Sequence, residues 1–271
     1  MSSLSSVKNI VCVASGKGGV GKSTTAVNLA LALSRLGLKA GLLDADIYGP
    51  SQPLMLGVAK DVRPVVRDRK LEPIVAHGIE CSSMGFLIDE KTPVVWRAPM
   101  IISAFNQILN DTLWSDLDFL IVDMPPGTGD IQLSLAQSVQ VTGAVIVTTP
   151  QDIALLDARK GIEMFRKVGV PVLGVVENMS THICSNCGHE EAIFGQGGGQ
   201  KLAADYAVDV IGSLPLDLKI REDTDNGNPS VVASPGSTVS EAYLGLARNL
   251  LARVESLSSD SQQPRISITD D

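Results

Sequence analysis

An apolar run at residues 7–14 leads into Gly-Lys-Gly-Gly-Val-Gly-Lys-Ser at residues 16–23, and helical periodicity follows to residue 36. This succession of strand, glycine loop and helix constrains the fold more than any other feature. It fixes a βα unit whose helix N-terminus faces an anion. Gly16, Gly21, Lys22 and Ser23 satisfy the P-loop pattern G-x-x-x-x-G-K-[ST]. Glycines at these positions let the backbone N–H groups of Gly16, Lys17, Gly18, Gly19, Val20 and Gly21 turn inward onto phosphate oxygens. Lys22 then reaches the β- and γ-phosphates of a nucleotide, and the Ser23 hydroxyl is placed to ligate Mg²⁺. Lys17 is an extra lysine that a plain P-loop does not need. A second cation exceeds what one subunit requires for phosphate charge, and it suits use on a neighbouring subunit's nucleotide.

The rest of the chain repeats the strand–helix alternation. Strand-like runs occupy residues 8–14, 39–44, 78–83, 119–123, 143–149, 170–177 and 208–214. Helix-like runs occupy 22–36, 100–113, 131–141, 154–168, 198–207, 216–226 and 240–256. Alternation on this scale predicts an α/β fold: a mostly parallel, twisted sheet with helices on both faces, in the manner of P-loop NTPases. Only 4% of residues are aromatic while 44% are hydrophobic, so the core is aliphatic, as parallel strands covered on both faces require. Residues 62–76 alternate and carry charge, which suggests a hairpin-like insertion. Residues 1–257 read as one P-loop ATPase domain, and the polar residues 258–271 as a disordered tail.

The net charge of −8 argues against a nucleic-acid backbone as partner. No stretch is apolar and long enough for a bilayer, and the first residues lack a signal core. The expectation is a cytoplasmic protein with no membrane partner, whose cysteines are reduced, metal-bound or redox-active. Cys12 and Cys81 lie in apolar runs and read as small buried residues.

Three further motifs fall where a P-loop nucleotidase needs them. Residues 119–123 form an apolar strand ending in Asp123, placed to help hold Mg²⁺, and residues 125–130 continue as a stiff turn suited to sensing a γ-phosphate. Asp44 and Asp46 also end a strand; one can face the nucleotide while the other ties the loop down, and Asp46 is the better candidate for orienting the attacking water. Two solvated loop aspartates are the competing reading. Asn178 closes the strand at 170–177, where its amide offers a donor and an acceptor to adenine, and Pro215 after the next strand can pack on the same ring. An asparagine at a strand end is also a common turn residue.

These stretches, together with residues 44–51, Val95-Trp96-Arg97-Ala98-Pro99-Met100 and Glu177-Asn178-Met179-Ser180, resemble the Mrp/ApbC-type iron–sulfur cluster carrier ATPases of the deviant Walker A class. The resemblance runs from about residue 7 to 257. It implies a homodimer in which Lys17 contacts the partner's nucleotide. It implies ATP and Mg²⁺ at Lys22, Ser23, Thr24 and Asp123, slow hydrolysis involving Asp46, and adenine recognition by Asn178. Upstream cluster-assembly proteins and recipient apoproteins are the implied partners. Many bacterial members carry a separate domain ahead of the P-loop, whereas this chain starts fifteen residues ahead of Gly16.

Cys184 and Cys187 separate this branch from related ATPases. They lie in a predicted loop at about 180–196, within His182-Ile-Cys-Ser-Asn-Cys-Gly-His189. Two thiolates grip one metal, yet tetrahedral zinc or a [4Fe–4S] cluster takes four ligands. A two-fold dimer supplies the missing pair. The resemblance implies this use, a bridging iron–sulfur cluster. Zinc completed by His182 and His189, a redox dithiol and plain loop cysteines are the alternatives. The competing function class is a partitioning or cell-division switch ATPase acting on membrane or DNA. Against it, residues 240–256 place Tyr243, Leu244, Ala247, Leu250, Leu251 and Val254 on one face as a core-packed helix without a basic opposite face.

Overall fold

The computed structural model describes residues 3–86, 97–138, 140–184 and 186–261. The first half runs β1 (Asn9–Ala14), α1 (Lys22–Arg35), β2 (Ala40–Asp44), α2 (Gln52–Met55), β3 (Val66–Arg67), β4 (Lys70–Leu71), β5 (Ile74–Ala76) and β6 (Ile79–Ser83). It continues with α3 (Ala98–Asp111), β7 (Phe119–Asp123), α4 (Asp130–Gln137), β8 (Gly143–Thr148), α5 (Asp152–Lys167) and β9 (Val172–Glu177). The remainder is β10 (His182–Ile183), β11 (Glu190–Glu191), α6 (Gly198–Asp205), β12 (Val210–Ser213), α7 (Leu218–Asp225), α8 (Ser230–Ala233) and α9 (Thr238–Ser261).

Eight strands form one sheet in the order β12-β9-β8-β1-β7-β2-β6-β5. Every pairing is parallel except that of β5 with β6. The exception has a local cause. His77 and Gly78 both have positive φ, 48° and 82°, the geometry of a two-residue hairpin turn. Asp68 and Arg69 repeat it at φ 49° and 64° between β3 and β4, so the expected insertion over 62–76 contains a hairpin.

Alternation along the central strands sorts side chains into two cores. Val11, Val13, Phe119 and Ile121 face the side covered by α1 and α9. Ile10, Cys12, Leu120 and Val122 face the side covered by α3 and α5. Cys12 and Cys81 are buried, as the sequence predicted. On α9, Tyr243, Leu244, Ala247, Leu250 and Val254 are buried, and Leu251 packs against the same core.

Two expectations need correction. The tail does not start at residue 258, because α9 continues to Ser261. Leu257 still packs on the core, the Ser258 hydroxyl donates to the Val254 carbonyl at 3.1 Å, and the first helix breaker is Pro264. Residues 262–271 lie outside the described residues, as does Trp96. The region 180–196 is not a plain loop either, since β10 and β11 pair within it as an antiparallel hairpin.

Candidate nucleotide and metal sites

Asp44 at the end of β2 is in register with Asp123 at the end of β7 on one side and with Ser83 of β6 on the other. The P-loop leaves β1 at this same edge, the carboxyl end where open α/β sheets bind ligands. Two glycines there are obligatory. Gly21 has φ 82°, and a Cβ on it would lie 2.1 Å from Asn178 Nδ2. A Cβ on Gly16 would lie 2.1 Å from the Asp157 backbone of α5. The P-loop is therefore pinned between α5 and the end of β9. Gly18 and Gly19 are exposed, Val20 is buried, and Ser23 and Thr24 are half-buried in the first turn of α1.

Lys22 is buried and forms an ion pair with the fully buried Asp123. Its Nζ also donates to Ser23 Oγ at 3.1 Å. From the other side, Gln52 Nε2 donates to Asp123 Oδ2 at 2.8 Å and to the Ser23 carbonyl at 3.1 Å. Ser23 and Asp123 are thus bridged twice. Lys17, by contrast, is half-buried and pairs with no acid among the described residues.

The two loop aspartates divide their work. Asp44 ties the loop down: it accepts from the backbone N–H groups of Asp46, Ser51 and Gln52, each at 3.1 Å, and from Ser83 Oγ at 3.0 Å. Burial, with the Asp123 charge second, pushes its carboxyl up to about 7, while the donors and Lys22 pull the other way. Asp46 is half-buried; burial raises its carboxyl, and Lys22 opposes that rise. The turn after Asp123 is joined to the P-loop, since Gly127 N–H donates to the Ser15 carbonyl at 2.9 Å.

Asn178 is buried and spends one amide N–H on the Val20 carbonyl, at 2.8 Å. In this structure it steadies the P-loop. Pro215 is half-buried and lines a cavity of about 870 Å³ with Glu177, Ser180, Ile183 and Glu190. That cavity connects the segment after β12 to the cysteine hairpin. Beside it, the Ser180 and Leu216 N–H groups donate to the Leu214 and Thr181 carbonyls, and His182 Nδ1 lies 3.0 Å from the Leu216 carbonyl.

Cys184 and Cys187 occupy the hairpin tip. Cys184 N–H donates to the His189 carbonyl at 2.9 Å, and Gly188 N–H to the Cys184 carbonyl at 2.8 Å, with Gly188 at φ 71°. The Asn186 and Cys187 N–H groups point at the Cys184 sulfur and hold its thiol below the usual range. A sulfur in a nest of backbone donors is ready as a thiolate ligand. Cys187 is exposed. Among the described residues no three His, Cys, Asp or Glu side chains converge on a metal-sized site. The His182 Nδ1 contact with the Leu216 carbonyl, at 3.0 Å, orients the ring and leaves Nε2 uncommitted by that contact.

The donors present fit Mg²⁺, a hard cation that takes oxygen ligands. The Ser23 hydroxyl and Asp123 carboxylate are held together, and Gln52, which bonds to both residues, has a buried Oε1 without a partner among the described residues.

Residues 6–251 match the family described as NUBPL iron-transfer P-loop NTPase. The chain belongs to that family. It is 64% identical over 245 residues to the iron–sulfur cluster carrier protein of Pseudomonas fragi, covering 90% of this chain and 85% of that one. The mouse iron–sulfur cluster transfer protein NUBPL is 52% identical over 252 residues, covering 92% of this chain and 79% of its own length. Among solved structures, a nucleotide-binding protein from Archaeoglobus fulgidus in complex with ADP superposes with TM-score 0.74 at 37% identity. That match covers 83% of this chain and 88% of the other. The P-loop NTPase fold and the iron-transfer family anticipated from the sequence therefore stand.

Sequence reading missed Gln52 and Ser83. Gln52 follows Gly-Pro-Ser and opens α2, an unremarkable helix start; only its complete burial marks it.

Proposed function

We propose that this chain is a homodimeric ATPase that carries an iron–sulfur cluster, held by Cys184 and Cys187 of both subunits, for delivery to apoproteins. The observation that carries the reading is the hairpin tip. One chain presents two thiols and, among the described residues, no cluster of three or more His, Cys, Asp or Glu side chains that would complete the set. A second copy related by a two-fold axis doubles two ligands to four. Ile183 and Ile193, close in sequence to the cysteines, and Tyr48, Ile153 and Leu156 are exposed, which leaves apolar surface available to a second copy. The names of the relatives support the cargo, and the ADP-bound neighbour supports the nucleotide.

At the nucleotide, Gly16, Lys17, Gly18, Gly19, Val20 and Gly21 cradle phosphates through their N–H groups. Lys22, Ser23 and Thr24 follow them in the first turn of α1. Lys22 neutralises charge within its own subunit; Lys17, which pairs with no acid among the described residues, serves the partner's nucleotide. Asp46 orients the attacking water. Asn178 and Pro215 hold the base side. Ser23 and Asp123 would hold Mg²⁺, which would supply charge stabilisation for phosphoryl transfer. The residue 125–130 turn reports the phosphate state through its link to Ser15. The apolar face of α9 is spent on the core and so is not free for a membrane surface, which disfavours the switch-ATPase reading.

Transfer of cluster from the loaded chain to an apo-recipient, with and without Mg–ATP, tests this function. A rate that responds to ATP supports it. Transfer indifferent to both ATP and the two cysteines counts against it.

A further inference from the structure

Gln52 is fully buried, yet its side chain is polar and half satisfied. The two groups within reach of its amide nitrogen, the Asp123 carboxylate and the Ser23 carbonyl, are both acceptors. The nitrogen must therefore face them, and the flipped orientation is excluded. That assignment leaves Oε1 as one of two buried side-chain atoms without a partner among the described residues, the other being Thr149 Oγ1. A buried acceptor left without a donor is costly, and native structures seldom carry one without a reason.

Its backbone adds to the placement. Gln52 N–H donates to Asp44 Oδ2 while Gln52 Nε2 donates to Asp123 Oδ2. One residue is thus interposed between two register-matched buried carboxylates and also grips the residue that bears the metal-ligating hydroxyl. A site of this kind needs a donor for Oε1. The strongest donors that arrive with a nucleotide are the polarised waters of its magnesium ion.

We propose that Gln52 is a magnesium-positioning residue: its amide nitrogen fixes Asp123 and Ser23, and its Oε1 accepts from the hydrated Mg²⁺ that accompanies the nucleotide. The inference rests on the nucleotide reading of the P-loop given above. It assigns Gln52 no contact with phosphate, so nucleotide binding without metal is independent of it.

Calorimetric titration of ADP in EDTA, then at increasing Mg²⁺, separates these effects in wild type, Gln52→Met and Gln52→Glu. Methionine keeps the volume and removes both polar functions; glutamate keeps the oxygen and removes the N–H donors. In Gln52→Met, metal-free ADP affinity should stay within about twofold. The Mg²⁺ concentration for half-maximal enhancement should rise about tenfold, the usual scale for losing a group that orients metal ligands. Gln52→Glu keeps the acceptor but loses the donors that fix Asp123 and Ser23, so its Mg²⁺ requirement should fall between those of wild type and Gln52→Met, and it carries the test alone if the methionine variant fails to fold. Wild-type Mg²⁺ dependence in either variant overturns the inference. Failure of the wild-type chain to bind ADP even in EDTA would instead overturn the nucleotide reading, and the inference with it.

Discussion

His182 Nδ1 lies 3.0 Å from the Leu216 carbonyl, which joins the strand leading into Cys184 to the segment that begins with Pro215. Backbone bonds from Ser180 to Leu214 and from Leu216 to Thr181 run beside it. The segment proposed to hold the base side of the nucleotide and the cysteine hairpin are therefore joined by hydrogen bonds. Movement of residues 214–217 on nucleotide binding has a direct route to the thiols. His182→Ala should leave ADP affinity and cluster loading near wild type while removing most of the effect of ATP on cluster transfer. Measuring all three quantities on one preparation checks it; an unchanged ATP effect would show that the link is only structural.

The four cysteines should differ sharply in reactivity. Burial pushes Cys12 up to about 12 and Cys81 well above its ordinary value, whereas backbone donors pull Cys184 down. Thiolate is the reactive form. Under reducing, metal-free conditions near neutral pH, iodoacetamide should modify Cys184 first and exposed Cys187 next. Cys12 and Cys81 should react only on unfolding. Mass spectrometry of a time course reads the order directly.

Removing either P-loop lysine should give a distinct defect. Lys22→Ala strands the buried Asp123 carboxylate, so both nucleotide affinity and melting temperature should fall; breaking a buried pair costs about 3–5 kcal/mol. Lys17 has no acid partner among the described residues, so Lys17→Ala should spare stability and lower hydrolysis by about 10³-fold, as loss of a trans-acting cation does. Mixing Lys17→Ala with Asp46→Ala chains tests the trans role. The site that keeps Asp46 belongs to the Lys17→Ala chain and receives Lys17 from its partner. Activity should return in verified heterodimers, and its absence there would refute trans action.

Asp44 makes the nucleotide-free protein sensitive to pH. Its carboxyl lies near 7 when folded, against an ordinary value of 3.8. Between those values the folded chain holds more protons than the unfolded one, so this contribution to stability falls as pH rises and levels off above 7. The wild-type melting temperature should therefore decline from pH 5 to 7 relative to Asp44→Asn, whatever the absolute offset of that variant. Parallel profiles would show that Asp44 titrates normally.

Much of this site was legible because P-loop chemistry is local. Residues 16–23 are contiguous, and an apolar strand ending in Asp123 needs no tertiary information to be noticed. The alternation of strands and helices gave the sheet, and the residue 62–76 hairpin was visible in its alternation. Gln52 was not visible, because its bonds to Asp44 and Asp123 depend on tertiary placement of α2, and a helix-opening glutamine has no signature of its own. The β10–β11 hairpin escaped for a similar reason. Its strands are two residues each, too short for periodicity, and they are fixed by bonds to residues 214–216 that are distant in sequence. The extension of α9 to Ser261 was not legible because residues 258–261 are polar and carry no core face, although the sequence holds no proline before Pro264 in that stretch.

Anaerobic reconstitution with iron and sulfide, with iron counted per pair of chains, tests the bridging cluster most directly. Wild type should take about four iron atoms per dimer, as one [4Fe–4S] cluster on four thiolates requires. Cys184→Ala and Cys187→Ala should each lose nearly all of it, because a single substitution removes two of four ligands from the dimer, while ADP binding persists. Full iron retention in either variant, or a complete cluster on an isolated monomer, would contradict the account.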